Sequence, residues 1–356
     1  PFLAKSLDMY IRDLYLDLWQ DQEAETQYQG TGSSHELASL LITEVIQHSL
    51  FVSKQHVYLL ALDAQSAFDR CLRQVLVSEL FKAKVQDAAI ILIDKRLASR
   101  TTVYEWEGEV MGPAKDGTGF EQGGINSSDF YKLYNNEQLK SAQDSKLGVD
   151  IESQVISGVG QADDVIVASS SLYNLQLLVA LTEQYCAKFR IKLEPSKTKL
   201  LVYYPPSQSF IVDHAMNSQQ ITIDNTPVSQ VTEAEHVGVL RNTAGNLPHI
   251  ANRIAMHKNS LHALLPAGLA RRHRGNPAAS LKLSQLYGVP VLLSGVASLV
   301  LNQAEINILE GHYLLTLQSL LRIHEKTPRS TSLLAHYQSL PFFNKGNCLC
   351  LPWFVI

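Results

Sequence analysis

Two adjacent acids, Asp163 and Asp164, stand in Val155–Ser169, VISGVGQADDVIVAS. Val155, Ile156 and Val159 precede them and Val165, Ile166 and Val167 follow, which predicts strand, tight turn, strand. Two carboxylates at a hairpin tip repel each other and gain nothing from a hydrophobic core. A divalent cation relieves that repulsion, because hard cations prefer oxygen ligands. Taken alone, such a pair reads as a solvated turn, since Asp is a common turn residue. A third acid changes the weighing. Val57–Leu62, VYLLAL, fits a buried strand and runs straight into Asp63. If that strand neighbours the hairpin in one sheet, Asp63, Asp163 and Asp164 meet at one edge. Three carboxylates there can hold two metal ions, which clamp the attacking and leaving oxygens of an in-line phosphoryl displacement.

The flanking segments must position these acids. Phe2–Trp19 reads as an amphipathic helix through Leu7, Tyr10, Ile11, Leu14 and Leu18. Ser33–Ser34–His35–Glu36 fits a capping box opening a second helix, with Leu37, Leu40, Leu41 and Val45 as its expected buried stripe. Residues 75–100 read as largely helical. Residues 100–111 alternate, with Val103, Glu105, Glu107 and Glu109 expected on one side and Tyr104, Trp106 and Val110 on the other. They suggest a partly exposed strand or hairpin around Gly108. Gln122–Gly123–Gly124 offers a backbone able to approach a base pair closely and an amide able to donate and accept. Leu172–Phe189 reads as a helix with Leu175, Leu178, Leu181 and Tyr185 on one face. Residues 209–239 read as short strands.

These residues, in order, resemble the reverse transcriptase family, in particular the polymerases of non-LTR (LINE-like) retrotransposons. LDAQSAFD at Leu62–Asp69 is similar to motif A, EQGGINSSDFYKLYNN at Glu121–Asn136 to motif B and GQADD at Gly160–Asp164 to motif C. LEPSKTK at Leu193–Lys199 is similar to motif D and HVGVL at His236–Leu240 to motif E. Each is weak alone; five in order carry the resemblance over roughly residues 27–330.

The resemblance implies an α+β right-hand polymerase: a palm sheet, partial fingers and a helical thumb. It places partial fingers at 1–56, the palm with inserted fingers elements at 57–240 and the thumb at 241–330, and leaves 331–356 unassigned. It implies RNA-directed DNA polymerase activity on an RNA template, a DNA primer and dNTPs. Two Mg²⁺ ions, with Mn²⁺ as a substitute, would be held by Asp63, Asp163, Asp164 and the backbone carbonyl of Ala64. Lys197 or Lys199 would protonate the leaving pyrophosphate, the choice between them staying open; each taken singly also reads as a solvated surface lysine. Phe68 would stand against the sugar and exclude a 2′-hydroxyl. Gln122 and Gly123 would contact the nascent base pair, and Gly238 would lie in the primer grip. Target-primed integration would place the protein in the nucleus.

Composition sets bounds. The 356 residues are 46% hydrophobic and 18% charged with a formal net charge of −4, so any polyanion site must come from local asymmetry. Such asymmetry exists: no acid occurs between Glu235 and Glu305, while Arg241, Arg253, Lys258, Arg271, Arg272, Arg274 and Lys282 fall there. That segment is expected to touch phosphate backbone. Cys71, Cys186, Cys348 and Cys350 are too sparse for a disulfide framework, which suits a reducing, intracellular compartment. Val289–Leu301 is too short for a membrane span and predicts a buried helix. The chain opens on Pro1 with no signal-peptide pattern and reads as a fragment starting after the strands that grip the triphosphate. Those missing strands, and Glu121 where the family has Arg, leave a second reading: a decayed or co-opted remnant that binds nucleic acid without polymerising. An RNA-dependent RNA polymerase is a third, disfavoured by Phe68.

Overall fold

The structure is a computed structural model, and it describes residues 2–19, 26–28, 34–65, 67–115, 117–121, 123–206, 220–265 and 277–321. The chain divides into two compact units, Pro1–Ala244 and Gly245–Ile356.

The first unit is built on strand β1, Val57–Leu62. Before it come α1 (Phe2–Trp19) and α2 (His35–Gln47); after it come α3 (Ala67–Arg70), α4 (Arg73–Lys82) and α5 (Asp87–Ala98). A hairpin of β2 (Thr101–Trp106) and β3 (Glu109–Lys115) leads to α6 (Ser127–Asp144). Then follow β4 (Val149–Ile151), β5 (Gln154–Ile156), β6 (Gly158–Gln161), β7 (Asp164–Ser169), α7 (Leu172–Phe189) and β8 (Lys199–Tyr203). Short strands close the unit: β9 (Thr222–Ile223), β10 (Thr226–Pro227), β11 (Ser229–Val231), β12 (Glu233–His236) and β13 (Val239–Asn242).

Five strands form one sheet in the order β11-β8-β1-β7-β6, with β1 at its centre and antiparallel to both neighbours. Side chains alternate across its faces. Tyr58, Leu60, Leu62, Val165, Val167, Leu200 and Val202 enter the core that also takes residues of α1 and α4 to α7. Val57, Leu59, Ile166, Ala168, Leu201 and Tyr203 enter a second core with Ala38, Ile42, Val45 and Ile46 of α2. Because both faces are covered, VYLLAL and VIVAS read as unbroken apolar runs rather than alternating ones. The result is an α+β fold of the polymerase palm kind.

Several expectations shift. The segment around 155 is not one strand: β5 pairs with β4, and β6 begins after Ser157, which is buried and whose carbonyl accepts from the Ala168 N–H. The helix expected over 75–100 breaks into α4 and α5 around Lys84, whose φ is +59°. The buried stripe of α2 lies one residue round from the one expected. Leu37 and Leu40 are exposed, while Ser39 and Thr43 turn inward. In the β2–β3 hairpin, Trp106 pairs with Glu109 and Glu105 with Val110, so Val110 shares a face with Glu105 and Glu109 with Trp106. The two-residue turn Glu107–Gly108, both at positive φ, reverses the parity that simple alternation predicts.

The second unit is helical: α8 (Leu247–Ala263), α9 (Pro277–Leu283), α10 (Val289–Leu293) and α11 (Gln303–Leu321). Ile250, Leu292 and Leu309 form one small core, Leu261 and Leu320 another. The run Val289–Leu301 is not one helix; α10 stops at Leu293, and Gly295 at φ +73° starts a single 3₁₀ turn. Among the described residues no helix is long and apolar enough to cross a membrane. Cys71 and Cys186 are buried free thiols. Cys348, Cys350, residues 331–356 and most of the short-strand expectation before Ile221 lie outside the described residues.

Candidate active site

Asp63 follows β1 directly, at the exit of the sheet's central strand. Its position is fixed by a braid with residues 192–198. The Gln65 N–H donates to the Lys192 carbonyl (2.8 Å), the Glu194 N–H to the Asp63 carbonyl (2.9 Å) and the Asp63 N–H to Thr198 Oγ1 (3.3 Å). Ala64 bridges Leu193 across the same seam. This braid brings the Lys197 ammonium to 3.9 Å from Asp63 Oδ2. Lys199 goes elsewhere: its ammonium donates to the Ser196 carbonyl at 2.8 Å.

Asp163 and Asp164 occupy the tip of β6–β7, where Gln161 pairs with Asp164 across Ala162, at φ +57°, and Asp163. The β1–β7 register pairs Leu62 with Val165, so one further step sets Asp63 opposite Asp164. The tip is anchored from α6, where Asn135 Nδ2 donates to the Ala162 carbonyl (3.2 Å). Gly160 lets Leu139 pack close against the strand. A Cβ on it would stand 2.7 Å from Leu139 Cδ1, which covers the strand from α6. On the other edge of β6, Thr26–Tyr28 adds two backbone hydrogen bonds to Gly160.

The three aspartates act on one another. The Asp164 residue is exposed overall, yet desolvation of its carboxyl is the first cause that pushes its pKa up to about 6. The negative charge of Asp163 is next, and those of Asp63 and Glu235 add to it, while the Val237 N–H, hydrogen-bonded to the carboxylate, pulls the other way. Among the described residues no three His, Cys, Asp or Glu side chains are gathered as a ready cage for a metal ion. The donor chemistry nonetheless suits a hard divalent cation: three carboxylates on adjoining strand ends, mutually repelling, with one ammonium beside them.

Val237 belongs to the turn of the β12–β13 hairpin. Val237 and Gly238 have φ of +50° and +70°, the two-residue turn that matches strand twist. Glycine fits that conformation, whereas a β-branched valine is strained in it. Val237 is nevertheless buried there with its N–H on Asp164. The hairpin is tied to α2 by Arg241, whose Nη2 donates to the Ser39 carbonyl (2.7 Å) and Ser39 Oγ (2.8 Å) and whose Nη1 donates to Thr43 Oγ1 (3.2 Å). No carboxylate among the described residues pairs with this buried guanidinium. Burial lowers its pKa to about 10, the neighbouring Tyr203 opposing. Beside it, His236 is held neutral: burial first, then the Arg241 charge, lowers its pKa to about 3.

Phe68 lies on α3, its ring stacked on Tyr131 of α6 with centroids 4.5 Å apart and planes 20° apart. The backbone of α3 is strapped by the segment before α6, the Phe120 N–H donating to the Phe68 carbonyl (2.9 Å). In that segment Gly123 is at φ +80° and exposed; Gln122 lies outside the described residues. Glu121 is 3.9 Å from Arg96 of α5, which also forks onto Asp8 of α1 at 3.1 and 3.2 Å. The acid in place of the expected Arg is thus faced by a cation from another helix. Arg12 to Asp129 (3.0 Å) and Tyr15 Oη to Asn126 (2.8 Å) fasten α1 to the start of α6.

In the helical unit Lys258 is exposed on α8, but Arg253 is only 6% exposed. The expected phosphate contact from Arg253 does not fit that burial; its Nη1 lies 3.6 Å from Met256 Sδ on the same helix. Arg271, Arg272 and Arg274 lie outside the described residues. Sequence reasoning missed Arg241 as a clamp, Tyr131 as the support of Phe68, Val237 as a donor to Asp164, and Arg96. Only the inward polar pair Ser39 and Thr43, four apart on a helix, could have signalled a buried partner.

A model of the family described as reverse transcriptase (RNA-dependent DNA polymerase) matches residues 8–239. The chain belongs to the reverse transcriptase family. No curated protein matches it. Among solved structures, apo telomerase from Candida tropicalis is similar at 12% identity and TM-score 0.50, over 96% of this chain and 52% of that one. Telomerase from Candida tropicalis in complex with a TWJ fragment of telomeric RNA is similar at 10% identity and TM-score 0.45, over 94% and 56%. The chain spans about half the length of these structures. At such identity the first likeness speaks to fold alone. The family's general activity, by its description, is RNA-directed DNA polymerisation.

Proposed function

We propose that this chain polymerises DNA on an RNA template as the reverse transcriptase of a non-LTR retrotransposon. The observation that carries the reading is the meeting of Asp63, Asp163 and Asp164 at neighbouring strand ends, close enough for each charge to act on Asp164. Asp63, Asp163 and Asp164, with the Ala64 carbonyl, would hold two Mg²⁺ or Mn²⁺ ions. When bound, the ions activate the primer 3′-hydroxyl and neutralise the departing pyrophosphate.

The chain's own residues do the rest. Lys197 hands its proton to the leaving pyrophosphate, a general-acid role for which its place beside Asp63 suits it and for which Lys199 is turned away. Phe68, backed by Tyr131, fills the space a ribose 2′-hydroxyl would need. Gln122 and Gly123 would contact the nascent base pair. The Val237–Gly238 turn supports the primer end while its amide orients Asp164. Lys258, Arg271, Arg272 and Arg274 meet phosphates of the template–primer duplex. Nuclear action belongs to the same proposal. The retrotransposon assignment rests on the five motifs, because the telomerase likeness is one of fold.

A second reading is a nucleic-acid-binding remnant, favoured by Glu121 standing where the family has Arg. Mg²⁺-dependent extension of a DNA primer on an added RNA template, run beside Asp163→Asn, separates the two. Extension that vanishes in the variant supports the polymerase. No extension from either chain, with primer–template binding that weakens steeply in salt, supports the remnant.

A further inference from the structure

The strands of the β2–β3 hairpin bury almost nothing. All seven residues of β3 and five of six in β2 are exposed. Val103, Tyr104, Trp106, Val110 and Met111 are between 55% and 72% open. The hairpin forms a two-stranded sheet by itself, joined to no third strand. Isolated hairpins are only marginally stable in water, and clustered exposed apolar side chains mark interaction sites.

The geometry selects one edge and one kind of occupant. β3 contains Gly112 and Pro113 next to a register shift, so its outer edge offers no continuous ladder of donors. β2, TTVYEW, has neither Gly nor Pro and pairs with no strand but β3 among the described residues. One face of β2 carries Tyr104 and Trp106, with Met111 paired to Tyr104; the other carries Glu105. Three acids, Glu105, Glu107 and Glu109, stand against the single base Lys115 within the hairpin. The aromatic rings alone could stack on bases, but this acidity repels a phosphate backbone.

We propose that β2 docks an extended protein segment as a third strand, in which apolar residues alternate with Lys or Arg. Backbone hydrogen bonds along β2 would supply affinity, and alternate side chains would supply choice. The apolar positions would cover Tyr104 and Trp106, and the basic ones would meet Glu105. This does not depend on whether the chain polymerises.

The test uses Trp106 as reporter. Tryptophan occurs only at 19, 106 and 353, so Trp19→Phe with Trp353→Phe isolates it. A nine-residue peptide alternating Val and Lys is expected to shift Trp106 emission to shorter wavelength, saturably. The Glu-for-Lys peptide, the Lys peptide with a central Pro, and the Lys peptide on Glu105→Lys are each expected to bind at least about tenfold more weakly. No shift with the Lys peptide, or equal shifts with the Pro or Glu peptides, overturns the proposal. A saturable shift with oligouridylate overturns it in favour of nucleic acid. A concentration-dependent shift without peptide, with a dimer by sedimentation, overturns it in favour of a second copy of the chain.

Discussion

Removing the hydroxyls that hold Arg241 should harm the protein more than removing Arg241 itself. The guanidinium is buried with three hydrogen bonds, all to Ser39 and Thr43, and no acid. In Ser39→Ala with Thr43→Val only the Ser39 carbonyl remains as acceptor, and the charge stays buried. Two hydrogen bonds to a buried charged donor, at about 1.5–3 kcal/mol each, put the loss at about 3–6 kcal/mol. Arg241→Met removes the charge and keeps much of the volume. Of the groups left behind, Thr43 Oγ1 and the Ser39 carbonyl keep each other as partners at 3.1 Å. Such replacements range from neutral to stabilising by about 1–4 kcal/mol. For a unit of this size each kcal/mol moves Tm by about 2–4 °C. The double hydroxyl variant should therefore lose roughly 6–24 °C in thermal unfolding followed by far-UV circular dichroism, Arg241→Met should lose little, and the triple variant should recover most of the loss. If Arg241→Met alone falls as far as the hydroxyl pair, the guanidinium is a net stabiliser and the reasoning fails.

Primer extension should decline with acid through an apparent pKa near 6 at limiting Mg²⁺. The Asp164 carboxyl is raised to about 6, so a proton competes for it below that pH and not above; saturating Mg²⁺ should move the midpoint down, and a midpoint near 4 at limiting metal would argue against this coupling. Lys197→Ala should slow single-turnover extension on the order of 100-fold, whereas Lys199→Ala should stay near wild type, since only Lys197 faces Asp63; equal losses would remove the distinction. Tyr131→Leu should reduce discrimination between dCTP and CTP by about 2- to 12-fold, the factor that a lost aromatic stack of 0.5–1.5 kcal/mol allows, and Tyr131→Phe should preserve it. Unchanged selectivity in Tyr131→Leu, beside a Phe68→Ala control that loses it, would show that Phe68 stands without that support.

The strands and their acids were legible because their signals are local. VYLLAL ending on Asp63 and the apolar runs around Asp163 and Asp164 state strand, tip and carboxylate in consecutive residues, and a sheet covered on both faces leaves few other places for them. The α2 stripe was misread because its geometry answers to a residue some two hundred positions away. Ser39 and Thr43 turn inward for Arg241, and no periodicity within the helix encodes that. Arg241 itself reads as one more base in an acid-free segment, since sequence does not distinguish a buried cation from a solvated one. Arg253 was misread for the same reason.

The sequence by itself determined the element types, the order of the five motifs and hence the family, because strand runs, turn residues and short motifs depend on neighbours in the chain. Tertiary structure alone decided which lysine faces Asp63, that Tyr131 supports Phe68, that a strained Val237 amide holds Asp164, and that one hairpin leaves its apolar side chains exposed. Each depends on where separate segments come to rest, and side-chain reach of a few ångströms across such seams is set by packing rather than by spacing along the chain.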